Sequence, residues 1–412
     1  MAVLDSPRAA TGDERIQASE AHGASSGYHY GLGCLRAFVV VLVVAHHALF
    51  AYNPVPPRSG KSLVEEPRWW RSFPILDDDR FTGALLFNTF TDLFFMSLMF
   101  FVSGLFVWSS LRRKGCAAFV RDRARRLGIP FVVAALVVAP LGYYPAYLAM
   151  APEPSIADFI RQWLSLGEWP AGPAWFIWVL LLFSALAALL TRRHPHWAPA
   201  VGRIFGPWLR EPSRFMVALI AISAAMYVPL SLLVGAADWT IFGPFAFQTA
   251  RLPHYALYFA AGIVVGATGL ENGLFGSQAK LASRWPIWVA GAGCAYLLYV
   301  VVSGSGWVED ELVAAAIRAV LYTVSCAASS LALVAVFLRF TRWRGPLWTS
   351  LRDNAYGIYL IHLPFSSWTQ YLLLGAAIPV AVKAAAAFGA ALVFSWIASI
   401  LLRRVPAVAR VV

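Results

Sequence analysis

Apolar runs of about twenty residues recur along the chain, the length a helix needs to cross a hydrocarbon core roughly 30 Å thick. One of them is CLRAFVVVLVVAHHALFAY, from Cys34 to Tyr52. In lipid every backbone N–H and C=O must find a partner inside the protein, so such runs fold as helices. Of the 412 residues, 59% are hydrophobic and 13% charged, against about 25% charged in soluble domains. The expected fold class is all-α: a polytopic integral membrane protein with about ten transmembrane helices in one bundle.

The ten spans are placed at 32–52, 84–108, 127–150, 173–191, 215–234, 253–268, 286–303, 312–338, 355–375 and 377–402. No internal repeat is visible. Residues 1–30 are small, polar and of mixed charge, without the apolar stretch of a signal peptide, and are expected to be a disordered cytoplasmic tail. Residues 31–404 form the membrane domain and 405–412 a short cytoplasmic C-terminal tail. The four cysteines, Cys34, Cys116, Cys294 and Cys326, form no CxxC pair and imply no disulfide framework.

A net charge of +12 invites a nucleic-acid reading, but in a membrane protein the placement of charge matters more than its sum. Segments on one side of the ten spans, both termini included, carry 23 Lys and Arg; those on the other carry 7. The positive-inside rule puts both termini in the cytoplasm. No nucleic-acid partner is expected; membrane lipids are. Eight tryptophans (Trp69, Trp70, Trp169, Trp175, Trp285, Trp288, Trp343 and Trp348) lie near predicted span ends, as an aromatic belt would.

Ionisable groups inside the spans stand out, because they usually face a cavity and mark function. Arg36 and His47 are eleven residues apart, three helical turns plus about 20°, so they share a face about 16 Å apart along the axis. His46 points about a quarter-turn away. Asp92 and Asn88 lie at a depth like that of His47, and an aspartate there can hold an imidazole in one tautomer. His362 sits in AYGIYLIHLPF. Arg251 and His254 mark the rim of the sixth span, and Arg318 is expected to pair with Glu309, Asp310 or Glu311. The basic stretch RRKGCAAFVRDRARRLGIP places Arg123 and Arg126 at the mouth of the third span, where guanidiniums suit a phosphate or pyrophosphate. No metal site is expected: adjacent histidines diverge around a helix, and there is no HExxH or structural-zinc spacing. Nucleophile-elbow, P-loop and Rossmann motifs are also absent from the sequence.

Four segments resemble the membrane-bound acyltransferase family 3. LRAFVVVLVVAHHALF carries arginine, ten residues and histidine. DLFFMSLMFFVSGLFVWSSL matches a phenylalanine-rich run ending in Ser-Gly, although it departs from the commoner Gly-Val/Ala-Asp-Phe-Phe pattern. FVRDRARRLGIPF is similar to the arginine-rich motif, and AYGIYLIHLP to the Tyr-Gly-Ile-Tyr-Leu-x-His motif. GPAWFIWVLLL looks like its Trp-Phe segment, so the resemblance spans residues 30 to 402, with no appended esterase-like domain. It implies an acyltransferase domain over residues 31–404 in a bacterial inner membrane. The implied activity is acyl-CoA-dependent O-acylation: acetyl or succinyl passes from acetyl-CoA or succinyl-CoA to a hydroxyl of a carbohydrate, glycolipid or glycosylated acceptor, as in polysaccharide modification. Acyl-CoA would be a co-substrate, with no bound cofactor. The implied catalytic set is His47, as general base or as acyl carrier, with Arg36, His46 and Asp92; Arg123, Arg126, His362 and Tyr356 would hold the donor. A transporter or flippase using buried Arg and His as a substrate or proton path is the alternative reading.

Overall fold

A computed structural model describes residues 12–55, 75–166, 170–269, 274–275, 280–340 and 345–411, with side chains from Tyr30 onward. The first helix, α1 (Gly12–Leu49), ends in a short 3-10 turn, Phe50–Tyr52. It begins inside the segment expected as a disordered tail: residues 12–30 are helical, while residues 1–11 lie outside the described residues.

The second hydrophobic stretch is broken into α2 (Thr82–Asp92), α3 (Phe95–Gly104) and α4 (Val107–Lys114). The third comprises α5 (Cys116–Arg123), α6 (Ile129–Val133) and α7 (Ala139–Met150), joined by π-helical turns at Ala124–Gly128 and Ala134–Val138. There follow α8 (Ile156–Ser165), α9 (Trp175–Arg193), α10 (Trp197–Ile204), α11 (Gly206–Arg210) and α12 (Pro212–Val234). The strands β1 (Trp239–Phe242) and β2 (Phe245–Gln248) precede α13 (Leu252–Ala267) and α14 (Lys280–Ser283). The last elements are α15 (Trp285–Ser305), α16 (Glu311–Arg339), α17 (Pro346–Leu372), α18 (Val380–Leu402) and α19 (Pro406–Ala409).

Each of the ten predicted spans falls on helix. Among the described residues, eight helical stretches are long and apolar enough to cross a membrane; α13 is shorter, and α17 is not among the eight. The polar character of α17 accounts for the difference, because it carries Arg352, Asp353, Asn354, His362, Ser366, Ser367 and Gln370.

Among the described residues the small hairpin is the one departure from helix and loop. Trp239 pairs with Gln248 and Phe242 with Phe245. Gly243, at φ 55°, takes the left-handed first position that a two-residue hairpin turn requires. The hairpin docks on α9 through Trp178, whose indole Nε1 donates to the Ala246 carbonyl at 3.0 Å.

α1 lies at the centre of the bundle, packed on α3, α16, α17 and α18. On its inner side α3 meets α13 backbone to backbone. A Cβ on Gly104 would stand 2.3 Å from the Phe259 carbonyl oxygen, and one on Gly262 would stand 2.2 Å from that of Phe101. Only glycine permits that approach, the usual role of small residues between membrane helices.

Trp175, expected in an interfacial belt, is instead 8% exposed inside the bundle, edge-on to Trp239. Trp69, Trp70, Trp169 and Trp343 fall outside the described residues. All four cysteines are free.

Candidate active site

The last turn of α1 carries His46 and His47 and stops where water is scarce. A helix end leaves its final carbonyls without intrahelical partners, and within an apolar layer they need protein donors. Two side-chain amides supply them. Asn88 Nδ2 on α2 donates to the His46 carbonyl at 3.2 Å. Gln370 Nε2 on α17 donates to the carbonyls of His47 and Ala48 at 3.1 and 2.9 Å.

The hydrogen bonds assign the tautomers. His47 Nδ1 lies 2.7 Å from the Val43 carbonyl, and His362 Nδ1 lies 2.8 Å from that of Tyr359. A carbonyl only accepts, so each Nδ1 carries hydrogen. In the neutral ring His362 Nε2 then holds a lone pair, and it faces His47 Nδ1 at 3.3 Å. His47 shares its one N–H between the two acceptors, and its Nε2 is left with a lone pair and no partner among the described residues. His362 is wholly buried; His47 keeps 8% of its surface. An imidazole arranged in this way can take a proton at Nε2.

His46 points elsewhere. Its Nδ1 lies 2.6 Å from Thr91 Oγ1. The Thr91 hydroxyl spends its hydrogen on the Phe87 carbonyl at 2.9 Å, so its oxygen accepts from His46. The ring packs on Phe50 and Phe95.

The other end of the α1 stripe is cationic. Arg36 is exposed although Leu35 and Ala37 on either side are fully buried. Among the described residues it forms no ion pair. Arg123 and Tyr356 lie within its electrostatic reach. Arg123 also rests over the Phe119 ring at 5.3 Å. The π turn at Ala124–Gly128 disturbs the helical ladder, and the Tyr356 hydroxyl donates to the Arg126 carbonyl within it at 2.6 Å. Arg126 itself points outward with 62% of its side chain exposed, 4.0 Å from Asp122, which also pairs with Lys114. Arg36, Arg123, Arg126 and Tyr356 therefore gather at one mouth of the bundle with an excess of positive charge, as phosphate binding requires.

Asp92 takes a different place from the expected one. Its carboxylate forms a two-pronged pair with Arg251 at 2.9 and 2.8 Å and, among the described residues, bonds no imidazole, although His46 lies within its electrostatic reach. The reason is angular: one residue along a helix is about 100°, and it is Thr91 that faces His46. Arg251, 7% exposed, is further held by Gln248 at 3.3 Å and lies over the Tyr322 ring at 4.7 Å. His254, fully buried, bonds Ser97 at 3.0 Å and Ser223. Both residues, read from sequence as rim groups, are interior. His362, placed by the resemblance with the donor-binding group, sits at the His47 end. Thr91 and Gln370 were missed; the available signal was the eight-residue spacing of His362 and Gln370, which puts them on one face of α17. Arg318 pairs with Glu311 at 2.7 Å, one of its expected partners. Among the described residues no group of three or more His, Cys, Asp or Glu is placed to hold a metal ion.

Buried His47 on the central helix α1 thus shares a helix face with the Arg36 cluster further down it. The acyltransferase-3 family model, described as an acyltransferase domain, matches residues 29–402. The chain belongs to that family and is a membrane acyltransferase. No curated protein and no solved structure matches it.

Proposed function

We propose that the protein transfers an acyl group, acetyl or succinyl, from acyl-CoA to a hydroxyl of a carbohydrate, glycolipid or glycosylated acceptor at a bacterial inner membrane. The observation that carries this reading is the unspent Nε2 of His47, about 16 Å along one helix face from the Arg36–Arg123–Tyr356 cluster. The excess of Lys and Arg on the segments that include this mouth supports a cytoplasmic side for it and for both termini.

The donor's phosphates rest on Arg36, Arg123 and Arg126, and its narrow pantetheine arm runs along the stripe toward His47. There Nε2 takes the hydroxyl proton of the acceptor as its oxygen attacks the thioester carbonyl carbon. The tetrahedral oxyanion collapses, the C–S bond breaks, and the thiolate recovers the proton from Nε2–H. The products are an ester and the free thiol. His362 and Val43 orient the ring throughout, and the Asp92–Arg251 pair braces α2 beside it.

The test is transfer from radiolabelled acetyl-CoA and succinyl-CoA by membranes containing the wild type or His47→Ala. Label entering the lipid or glycan fraction with the wild type only is expected. Equal labelling by His47→Ala would overturn the role of His47, and no labelling from either donor would overturn the reaction.

A further inference from the structure

One hydroxyl beside the histidines has nothing to do in the structure as it stands. α17 presents His362, Ser366 and Gln370 at successive intervals of four residues, so they stack along one face about 6 Å apart. They are 0%, 1% and 3% exposed. The outer two both engage the last turn of α1: His362 meets the His47 ring, and Gln370 holds the His47 and Ala48 carbonyls. Ser366 lies between them on the same face of α17.

Several other hydroxyls in the bundle are spent within their own helices. Ser184, Thr191, Ser367 and Thr369 each donate to the carbonyl four residues earlier, at 2.7 to 2.9 Å. Among the described residues Ser366 Oγ has no partner. Leaving a hydroxyl unsatisfied in an apolar layer costs stability, and such a cost persists most readily where function uses the group. The remaining unpartnered atoms divide by place. Among the described residues, those of Tyr258, Trp288, Tyr322, Ser329 and Ser330 lie on α13, α15 and α16 and that of Arg251 just before α13; those of Tyr52, Asn88 and Ser366 lie on the turn after α1, on α2 and on α17, the elements that carry or bond the histidine turn.

Acyl transfer needs two things that the imidazole alone does not supply together: a base for the incoming hydroxyl and a donor for the oxyanion. We propose that Ser366 Oγ–H is that donor, a catalytic residue that hydrogen-bonds the thioester carbonyl oxygen and holds the negative charge that develops there. The inference rests on the acyl-transfer reading above. In the step, the acceptor proton goes to His47 Nε2, the new C–O bond forms, and the carbonyl electrons move onto the oxygen facing Ser366. They return as the C–S bond breaks, so the serine keeps its proton.

Steady-state kinetics of the purified full chain test this. Ser366→Ala should lower kcat roughly a hundredfold, the usual effect of losing one oxyanion donor, with the donor KM within about twofold because the interaction forms in the transition state. Its thermal unfolding temperature should be unchanged or higher, since deleting an unpartnered hydroxyl removes a desolvation penalty. Ser366→Cys, nearly isosteric and a weak donor, should fall between. Ser367→Ala, whose hydroxyl is bonded within its own helix, should keep wild-type kcat. A full kcat in Ser366→Ala, a change confined to KM, or a loss that tracks lowered thermal stability would each overturn the assignment. His47→Ala separates the levels: if it is inactive while Ser366→Ala is fully active, the reaction stands and the serine falls; if it is active, the underlying reading falls.

Discussion

Two imidazoles lie with ring centres 5.1 Å apart, and only one is free to act as a base. Replacing each by leucine should therefore give very unequal losses. His47→Leu removes the proton acceptor itself, and a positioned general base contributes about 10²–10⁴-fold, or about 2.7–5.4 kcal/mol of barrier. His362→Leu removes one acceptor of a shared N–H. That contact is the longer of the two, 3.3 Å against 2.7 Å, and the Val43 carbonyl remains to hold the ring. A neutral hydrogen bond is worth about 0.5–1.5 kcal/mol net, so the expected loss is at most about tenfold. Initial rates of acyl transfer from labelled donor would be compared at matched amounts of folded protein, judged by gel filtration and thermal unfolding. A His362→Leu enzyme as slow as His47→Leu would refute the reasoning, because it would make His362 the base or the pair an inseparable unit.

Three further outcomes are expected. Gly262→Ala sets a Cβ 2.2 Å from the Phe101 carbonyl oxygen and should destabilise by about 1–3 kcal/mol or more, read as a lower unfolding temperature in detergent. Arg123→Ala/Arg126→Ala should raise the donor KM several-fold with little change in kcat, measured by varying acyl-CoA; an unchanged KM would leave these residues to topology alone. Asp92→Asn strands the 7%-exposed Arg251 without its counter-ion and should cost about 1–3 kcal/mol. That is below the roughly 3–5 kcal/mol of a fully buried pair, since the Asp92 side chain is 40% exposed. Asp92→Asn/Arg251→Met should recover part of the loss in denaturant unfolding.

What the sequence disclosed followed from periodicity within single helices. Arg36 and His47 share a face because 3.6 residues per turn fixes their angle whatever surrounds them. The apolar runs likewise marked where helices lie. What it hid depended on packing between helices. Asp92 and Thr91 are neighbours in sequence, and which of them meets His46 depends on how α2 rotates against α1. Nothing local reveals that Arg251, after a hairpin, folds inward to claim the carboxylate. Gln370 looks like an ordinary polar residue near a span end until α1 is seen to stop beside it. The breaks between α2, α3 and α4 and the π turns near Arg126 were also missed, since hydropathy averages over them. The family resemblance rested on ordered motifs, and these are the segments that line the two ends of the α1 stripe.

The glycine contact between α3 and α13 has a bearing on traffic through the bundle. With Gly104 against Phe259 and Gly262 against Phe101, backbone meets backbone and no layer of side chains stands between the two helices. Side chains can swing aside on a nanosecond timescale; a bare main-chain seam has nothing to swing. That seam is thus a fixed wall beside α1, and movement that admits a thioester arm falls to the side-chain-lined contacts of α1, such as the one with α17 that carries Tyr356 and His362.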